Sequence, residues 1–155
     1  MRLSARFGLA ALLGSGLACS QASIGHAPPP PPRAASAATG SLVQHDSLVA
    51  VQEPGPHAGG GVTTAYPFFA GAEGLALVFR KRALHMGAAI GYHRQEADEV
   101  YYVLAGRGEL TLDGVRREVG PGTAILTRPG SSHGLRQLGA DDLVILVSYL
   151  RTSER

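Results

Sequence analysis

The chain has 155 residues, of which 45% are hydrophobic, so it has room for one folded domain and some additional sequence. Only 17% of the residues are charged, which argues against a coiled coil or a highly charged disordered protein. The formal net charge of +2 is a local effect, because three arginines and no acidic residue precede Ser41, and the rest of the chain is nearly neutral. A near-neutral domain without a basic stripe is not typical of a nucleic-acid binder, so we expect no nucleic-acid partner.

The first 22 residues have the layout of a secretory signal peptide. Arg2 and Arg6 form a short cationic start, an apolar stretch runs from Phe7 to Leu17, and small residues follow. The apolar stretch is too short to remain in a bilayer as a spanning helix. Two kinds of processing fit these residues, namely ordinary cleavage near Ala22 or lipidation at Cys19.

Cys19 is the only cysteine, so no intrachain disulfide can form. Gly16 to Cys19 resembles the lipobox of bacterial lipoproteins, although Gly16 stands where that pattern prefers an aliphatic residue. Residues 23–40 are rich in Pro and Ala and predict an extended linker rather than a core. We therefore expect an exported protein, periplasmic or anchored to a membrane through lipid only, with its folded domain at residues 41–155.

The domain itself is predicted to be all-β. Short β-branched and aromatic runs separated by turn residues predict strands at Leu75–Leu84, Val100–Gly106, Glu109–Leu112, Val115–Val119, Thr123–Thr127 and Asp142–Leu150. Asp113-Gly114 predicts a two-residue hairpin turn, because both positions tolerate a positive φ. Many short strands indicate a sandwich or a barrel. The basic run Phe79–Arg82 is more typical of a solvated strand edge than of a phosphate site.

A set of candidate metal ligands lies around Gly91–Val100. His93 and Gln95 are two residues apart and should face the same space, and a short turn returns Glu99 on the neighbouring strand. Downstream, a Pro-Gly turn presents His133. Two imidazoles, an amide oxygen and a carboxylate would form a ligand set with open positions, suited to Mn, Fe, Ni or Zn as the divalent ion.

These residues resemble the first cupin motif, which runs glycine, five residues, His-x-His, three residues, Glu, six residues, glycine. Gly87, His93, Gln95, Glu99 and Gly106 match it, with Gln95 in place of the second histidine. Gly122 to Gln137 resembles the second motif, with a shortened turn and Gln137 in place of its asparagine. The resemblance extends over roughly Val62 to Tyr149. It implies a double-stranded β-helix, a jelly-roll barrel with its metal inside.

Gln95 decides whether such a site still works. An amide oxygen is a weaker ligand than imidazole for late first-row metals, but it remains a hard donor that Mn(II) and Fe(II) accept. We therefore expect weakened metal binding rather than a lost site. The alternative is a vacant barrel whose polar groups hydrogen bond to one another.

Three functions remain open at this point. In the first, the cupin is a metal-dependent enzyme acting on a small organic acid or a sugar-derived carbonyl compound, with the decarboxylation, isomerisation and oxygenation that the family carries out as candidate reactions. Glu99 would then be a ligand or a general base, and Tyr101 a second catalytic candidate. In the second, the barrel captures such a ligand without turnover. In the third, it is an interaction module that forms a homodimer, as small cupins do, with a metal site that no longer binds an ion.

The remaining polar residues are less informative. Tyr92 and Arg128 could also approach the pocket, whereas His45, His57 and His85 are predicted to be surface groups. The glycine-rich segment from Pro54 to Gly61 is either a flap over the barrel or a plain connection.

Overall fold

The computed structural model describes Gly40 to Arg151. The predicted signal peptide (1–22), Cys19 and nearly all of the linker (23–40) lie outside the described residues, so their assignments remain predictions. Between Gly40 and Arg151 there is one helix, α1 (Asp46–Val49). In this part of the chain, no helix is both long enough and apolar enough to cross a membrane.

Two antiparallel sheets make up the domain, and the all-β prediction is confirmed. The larger sheet has six strands in the spatial order β1 (Val51–Pro54), β2 (Val62–Phe68), β3 (Leu77–Leu84), β10 (Leu143–Leu150), β5 (Glu99–Ala105) and β8 (Ala124–Thr127). The smaller sheet has four strands in the order β4 (Ala89–Arg94), β9 (Ser132–Leu138), β6 (Arg107–Leu112) and β7 (Val115–Val119).

The core lies between the sheets and follows from the alternation of side chains along each strand. On β5 the inward residues Glu99, Tyr101 and Val103 are buried, while the outward residues Val100, Tyr102 and Leu104 are each 42% exposed. Aliphatic residues of both sheets fill the core, among them Leu84, Val103, Leu110, Leu135 and Ile145. Each such side chain contributes about 1.5–3 kcal/mol by leaving water.

The predicted strand positions agree with the structure to within a few residues, and Val115–Val119 agrees at both ends. The Asp113-Gly114 turn is also confirmed, because Asp113 has φ 48° and Gly114 has φ 78°, as a hairpin turn of this type requires. Strands β1, β2 and β9 were not predicted. The sequences of β1 and β9 carry many polar residues, so tertiary pairing and not an apolar pattern defines these two strands, whereas β2 contains the β-branched and aromatic residues that are typical of a strand.

Residues 55–61, here called the 55–61 loop, run along the outer edge of β4. The backbone N–H of Ala89 donates to the carbonyl of Gly60 (3.2 Å), and the N–H of Gly91 donates to the carbonyl of Pro56 (2.9 Å). A Cβ added at Gly91 would lie 1.9 Å from the carbonyl oxygen of His57, so only glycine permits this approach. Two main-chain hydrogen bonds therefore fix the loop to the strand that carries His93.

Candidate metal centre

Strand pairing places the two imidazoles side by side. His93 on β4 is directly opposite His133 on β9 in the register of the smaller sheet. Their ring centroids are 4.7 Å apart and the ring planes are nearly perpendicular, at 82°. His133 was expected in a Pro-Gly turn but lies on β9 itself, where it is 1% exposed, because the turn ends before Ser132. The pairing accounts for how residues 40 positions apart meet.

Glu99 approaches the imidazoles from the opposite sheet. It was expected on a strand next to that of His93, but β5 belongs to the larger sheet, so the connection after Gln95 crosses from one sheet to the other. The carboxylate is buried, and its Oε2 lies 3.3 Å from Nε2 of His133. The three side chains therefore converge inside the barrel from both of its walls.

Hydrogen bonds on the far side of each ring direct both Nε2 atoms towards this centre. Nδ1 of His93 is 2.8 Å from the carbonyl oxygen of Gly91, which can only accept, so Nδ1 carries a proton and Nε2 faces the centre. Nδ1 of His133 contacts the hydroxyl of the buried Thr127. Such partners fix the tautomer and orientation of metal-ligating histidines.

These three residues could hold a metal ion. One ligand atom from each of His93, Glu99 and His133 lies within 4.8 Å of the other two, so small side-chain movements would bring all three to the distance of about 2.0–2.2 Å at which a single ion is bound. Two imidazole nitrogens and one carboxylate oxygen suit Mn, Fe, Ni or Zn, and leave positions open for water or substrate. The donor set therefore fits the predicted ion.

Gln95 shares this space, as its spacing from His93 predicts, but with its nitrogen inward. Nε2 of Gln95 donates to Oε2 of Glu99 and lies 3.4 Å from Nε2 of His93 and 3.5 Å from Nε2 of His133. An amide nitrogen is a donor and cannot bind a cation. Coordination by the amide oxygen requires the amide group to turn over, which would break the hydrogen bond to Glu99.

Tyr101 and Tyr102 point to opposite faces of β5, as predicted. Tyr101 is buried, and its hydroxyl lies 3.2 Å from Nε2 of His133. Burial, followed by the negative charge of Glu99, raises the pKa of Tyr101 well above its ordinary value of 10.0. Its phenol is therefore a neutral hydrogen-bond donor at the centre and cannot act there as a base at neutral pH.

His57 is exposed, as predicted for a surface group, but it also lines the cavity of the site, which was not predicted. Its ring stacks on that of His93 with centroids 3.4 Å apart and planes within 7°. Partial burial, followed by the neighbouring His93, lowers its pKa from 6.5, and the Glu99 charge opposes this shift. The only sequence feature that pointed to this position was the glycine-rich 55–61 loop, which was considered as a flap over the barrel. By contrast, His85 binds Thr64 and Asp142, and His45 caps α1, so neither lies in the site.

The centre opens into a cavity of about 730 Å³. Four arginines and two glutamates supply its charged lining: Arg80, Arg82, Arg94, Arg151, Glu96 and Glu99. Tyr92 and Arg128 do not line this cavity and are exposed elsewhere. The cavity wall is therefore positively charged around the candidate ligands, which favours anionic molecules.

The arginines of β3 show that Phe79–Arg82 is not a solvated strand edge. This strand lies between β2 and β10, so it has no free edge. Of its three basic residues, only Lys81 faces outward, where it pairs with Asp46 and lies 4.1 Å from the ring centroid of Tyr66. Arg80 and Arg82 point into the cavity, and Arg82 is only 3% exposed.

Comparison with known proteins supports the same family. The sequence matches the family model of the cupin domain over residues 82–149. The oxalate-binding protein of Thermotoga maritima is 32% identical over 72 residues, which are 46% of this chain and 60% of that protein. This chain therefore spans less than two thirds of the length of that curated relative.

Solved structures have the same fold. A crystal structure of a predicted oxalate decarboxylase from Thermotoga maritima aligns with a TM-score of 0.65 at 23% identity, covering 72% of this chain and 100% of the other. The polyketide cyclase RemF of Streptomyces resistomycificus aligns with a TM-score of 0.59 at 28% identity, covering 71% of this chain and 79% of the other. Family model, motif residues and fold agree that residues 82–149 of the chain form a cupin domain.

Proposed function

We propose that the protein binds a divalent metal ion at His93, Glu99 and His133 and uses it to bind and transform a small organic acid. The observation that carries this proposal is the convergence of three ligand atoms within 4.8 Å at the base of an arginine-lined cavity. A bound ion would supply Lewis acidity to a carboxylate or carbonyl oxygen. Sugar-derived carbonyl compounds remain the other substrate class to test.

The surrounding residues have separate roles in this proposal. Gly91 and Thr127 hold the two imidazoles in the orientation that directs Nε2 towards the centre. Tyr101, kept neutral by its raised pKa, donates a hydrogen bond towards the centre and is the proton donor available there. Glu99 is the ligand carboxylate, and its hydrogen bond from Gln95 limits its freedom to act as a general base.

The arginine-rich lining of the cavity and the names of two relatives support an organic acid as the ligand. Arginine side chains recognise carboxylates well, because their N–H groups match the two carboxylate oxygens. One relative is named an oxalate-binding protein and one structural neighbour a predicted oxalate decarboxylase. Both names refer to a small carboxylic acid, so acids are the first class to screen.

The test is a binding and turnover screen of metal-loaded protein. The purified protein is loaded with Mn, Fe, Ni or Zn in turn, and small acids and sugar-derived carbonyl compounds are titrated by calorimetry, with product formation followed by NMR. We expect at least one acid to bind the loaded protein but not His93→Ala. Failure of every acid to bind any loaded form would reject the proposal.

Binding without turnover is the second candidate, and the hydrogen bonding of Glu99 favours it. Within the described cavity lining, Glu96 is the only other carboxylate, and it is exposed. Among the described residues that line the cavity, Glu99 is therefore the only buried carboxylate that could act as a base. In the same screen, an acid that binds the loaded protein with no product at any metal would identify a capture protein; a product would indicate decarboxylation, isomerisation or oxygenation.

We also propose export, with the Pro/Ala-rich linker joining the domain to a lipid on Cys19. A short cationic and apolar leader followed by small residues supports export, and the resemblance of Gly16 to Cys19 to a lipobox supports the anchor. Lipid labelling of the expressed precursor should disappear in Cys19→Ala. Equal labelling of both forms, or labelling of neither, would favour cleavage near Ala22.

Self-association is supported by the outer face of the larger sheet. Val100, Tyr102, Leu104 and Leu126 are between 42% and 47% exposed there. Strand β10 lies between β3 and β5, so its backbone edges are occupied and it would contribute side chains only. We expect light scattering to show a dimer that Tyr102→Glu converts to a monomer; a monomeric parent protein would reject this interface.

A further inference from the structure

Arg80 occupies the inner face of the larger sheet, on the same row as Tyr101. In the register of this sheet Val147 on β10 is opposite Arg80 on one side and Tyr101 on the other. Neighbouring strands are about 4.8 Å apart, so Arg80 and Tyr101 are separated by about 10 Å between Cα atoms. Both line the cavity. Arg80 therefore lies two strands away from Tyr101 along the cavity wall, where it could contact the far end of a small molecule bound at the candidate metal centre.

The charge of Arg80 has no anionic partner among residues 40–151. One terminal nitrogen donates to the hydroxyl of Tyr149 (3.0 Å), and the guanidinium lies 5.6 Å from the centroid of the same ring. Its Nε is buried and has no hydrogen-bond partner within the described chain. Buried polar groups are nearly always paired in folded proteins, so a guanidinium that lies beside a cavity with one buried N–H unpaired and no carboxylate partner among residues 40–151 is suited to binding an anion.

Arg82 differs in this respect, although it projects from the same face of β3. Its guanidinium donates to the hydroxyl of Thr63 (2.7 Å) and to the carboxylate of Glu53 (2.5 Å). These contacts join β3 to β1 and β2. Arg82 therefore stabilises the packing of three strands, whereas no carboxylate of the described residues pairs with Arg80.

We propose that Arg80 binds a second carboxylate of the substrate, so that the ligands of this site are dicarboxylic acids. One carboxylate would lie at His93, Glu99 and His133, and the other would accept hydrogen bonds from the Arg80 guanidinium, which Tyr149 orients. This inference rests on the proposed function, because it assumes that an acid binds at the metal residues. It goes further in naming a residue that selects dicarboxylates over monocarboxylates.

The experiment measures acid binding to Mn-loaded protein by calorimetry. Succinate and glutarate are compared with butyrate and valerate, which have the same numbers of carbon atoms and one carboxylate fewer. The variants are Arg80→Met, Arg80→Lys and the control Arg117→Met, which removes an exposed arginine of β7 that does not line the cavity. Metal content and thermal unfolding are measured for each variant.

We expect at least one dicarboxylate to bind the parent protein more tightly than its matched monocarboxylate. Loss of charge-assisted hydrogen bonds should weaken dicarboxylate binding in Arg80→Met by about tenfold to hundredfold. Monocarboxylate binding and metal content should not change. Arg80→Lys, which keeps the charge, should lose less, and it provides the same comparison if Arg80→Met does not fold. Arg117→Met should behave as the parent protein does.

Two results would overturn the inference and leave the proposed function standing. They are equal binding of dicarboxylates and monocarboxylates by the parent protein, and unchanged dicarboxylate binding in a folded, metal-loaded Arg80 variant. If no acid of either kind binds the parent protein after loading with Mn, Fe, Ni or Zn in turn, the proposed function itself fails, and the inference fails with it.

Discussion

Gln95 donates its amide N–H to the carboxylate of Glu99 across the gap between the two sheets. The residue that departs from the usual histidine thus hydrogen bonds to a candidate ligand instead of facing the centre with its oxygen. A carboxylate held in this way is fixed in orientation, which is the usual role of a residue that supports a metal ligand. Gln95 therefore supports the site in the described orientation and could coordinate only after its amide turns over.

Substitution of Gln95 should change metal affinity in a graded way. Gln95→Ala removes the support of Glu99 and should weaken binding by about tenfold to hundredfold without abolishing it. Gln95→His supplies a third imidazole and should strengthen binding of Ni and Zn more than of Mn. Competition titrations with a metal-binding dye measure both changes.

The matched control is Gln52→His, which adds a histidine to the exposed part of β1. It should bind metal as the parent protein does. A Gln95→Ala variant with unchanged affinity for all four ions would contradict a role for Gln95 at the centre.

Thr127 should be required for the orientation of His133. Thr127→Val keeps the shape of the side chain but removes the hydroxyl that contacts Nδ1 of His133. We expect a loss of about 1–3 kcal/mol in the free energy of unfolding, because a buried group loses its partner. Metal affinity should fall by about tenfold to hundredfold. Thr111→Val, on β6, changes a hydroxyl outside the centre and should leave affinity unchanged; equal effects of the two substitutions would argue against orientation.

Tyr101 should lose its phenol proton only at a pH well above 10, and this should make the stability of the fold depend on pH in the alkaline range. Its raised pKa means that the folded protein retains the phenol proton after the unfolded chain has lost it. The contribution to stability is therefore complete below pH 10 and is lost as pH rises through the folded pKa. Tyrosinate absorbance should show a late step among the five tyrosines that is missing in Tyr101→Phe. Tyr102→Phe, on the outer face, should keep that step, and a late step that persists in Tyr101→Phe would contradict the assignment.

Gly91 should be necessary for the stacking of His57 on His93. In Gly91→Ala the new methyl group would overlap the carbonyl of His57, so the 55–61 loop must move away from β4. We expect a loss of about 1–3 kcal/mol in stability, and altered imidazole NMR signals from His57. Gly71→Ala is the control, because nothing lies within 4 Å of an added Cβ there. Unchanged His57 signals in Gly91→Ala would show that the loop does not depend on this close approach.

Much of the fold could be predicted because apolar alternation marks the buried strands directly. Val115–Val119 and the Asp113-Gly114 turn required only local information. The candidate ligands were found because two motifs preserve their spacing. The spacing of residues does not specify the sheet to which each strand belongs. For this reason Glu99 was predicted on a strand next to that of His93, whereas it lies on the opposite sheet.

The contributions of His57 and Arg80 could not be predicted for a related reason. His57 reaches the centre through main-chain hydrogen bonds between the 55–61 loop and β4, and no side-chain pattern encodes them. Arg80 lies in a basic run whose alternate residues face opposite sides of an interior strand. Whether such a charge meets solvent, a carboxylate or a cavity depends on neighbours distant in sequence.

The most direct test of the candidate metal centre is elemental analysis of the protein purified without a histidine tag or chelator. A working centre should hold about one Mn, Fe, Ni or Zn ion per chain. The ion should be lost in His93→Ala and His133→Ala. The absence of metal after reloading with each ion in turn, or full metal content in both variants, would contradict the assignment of this centre.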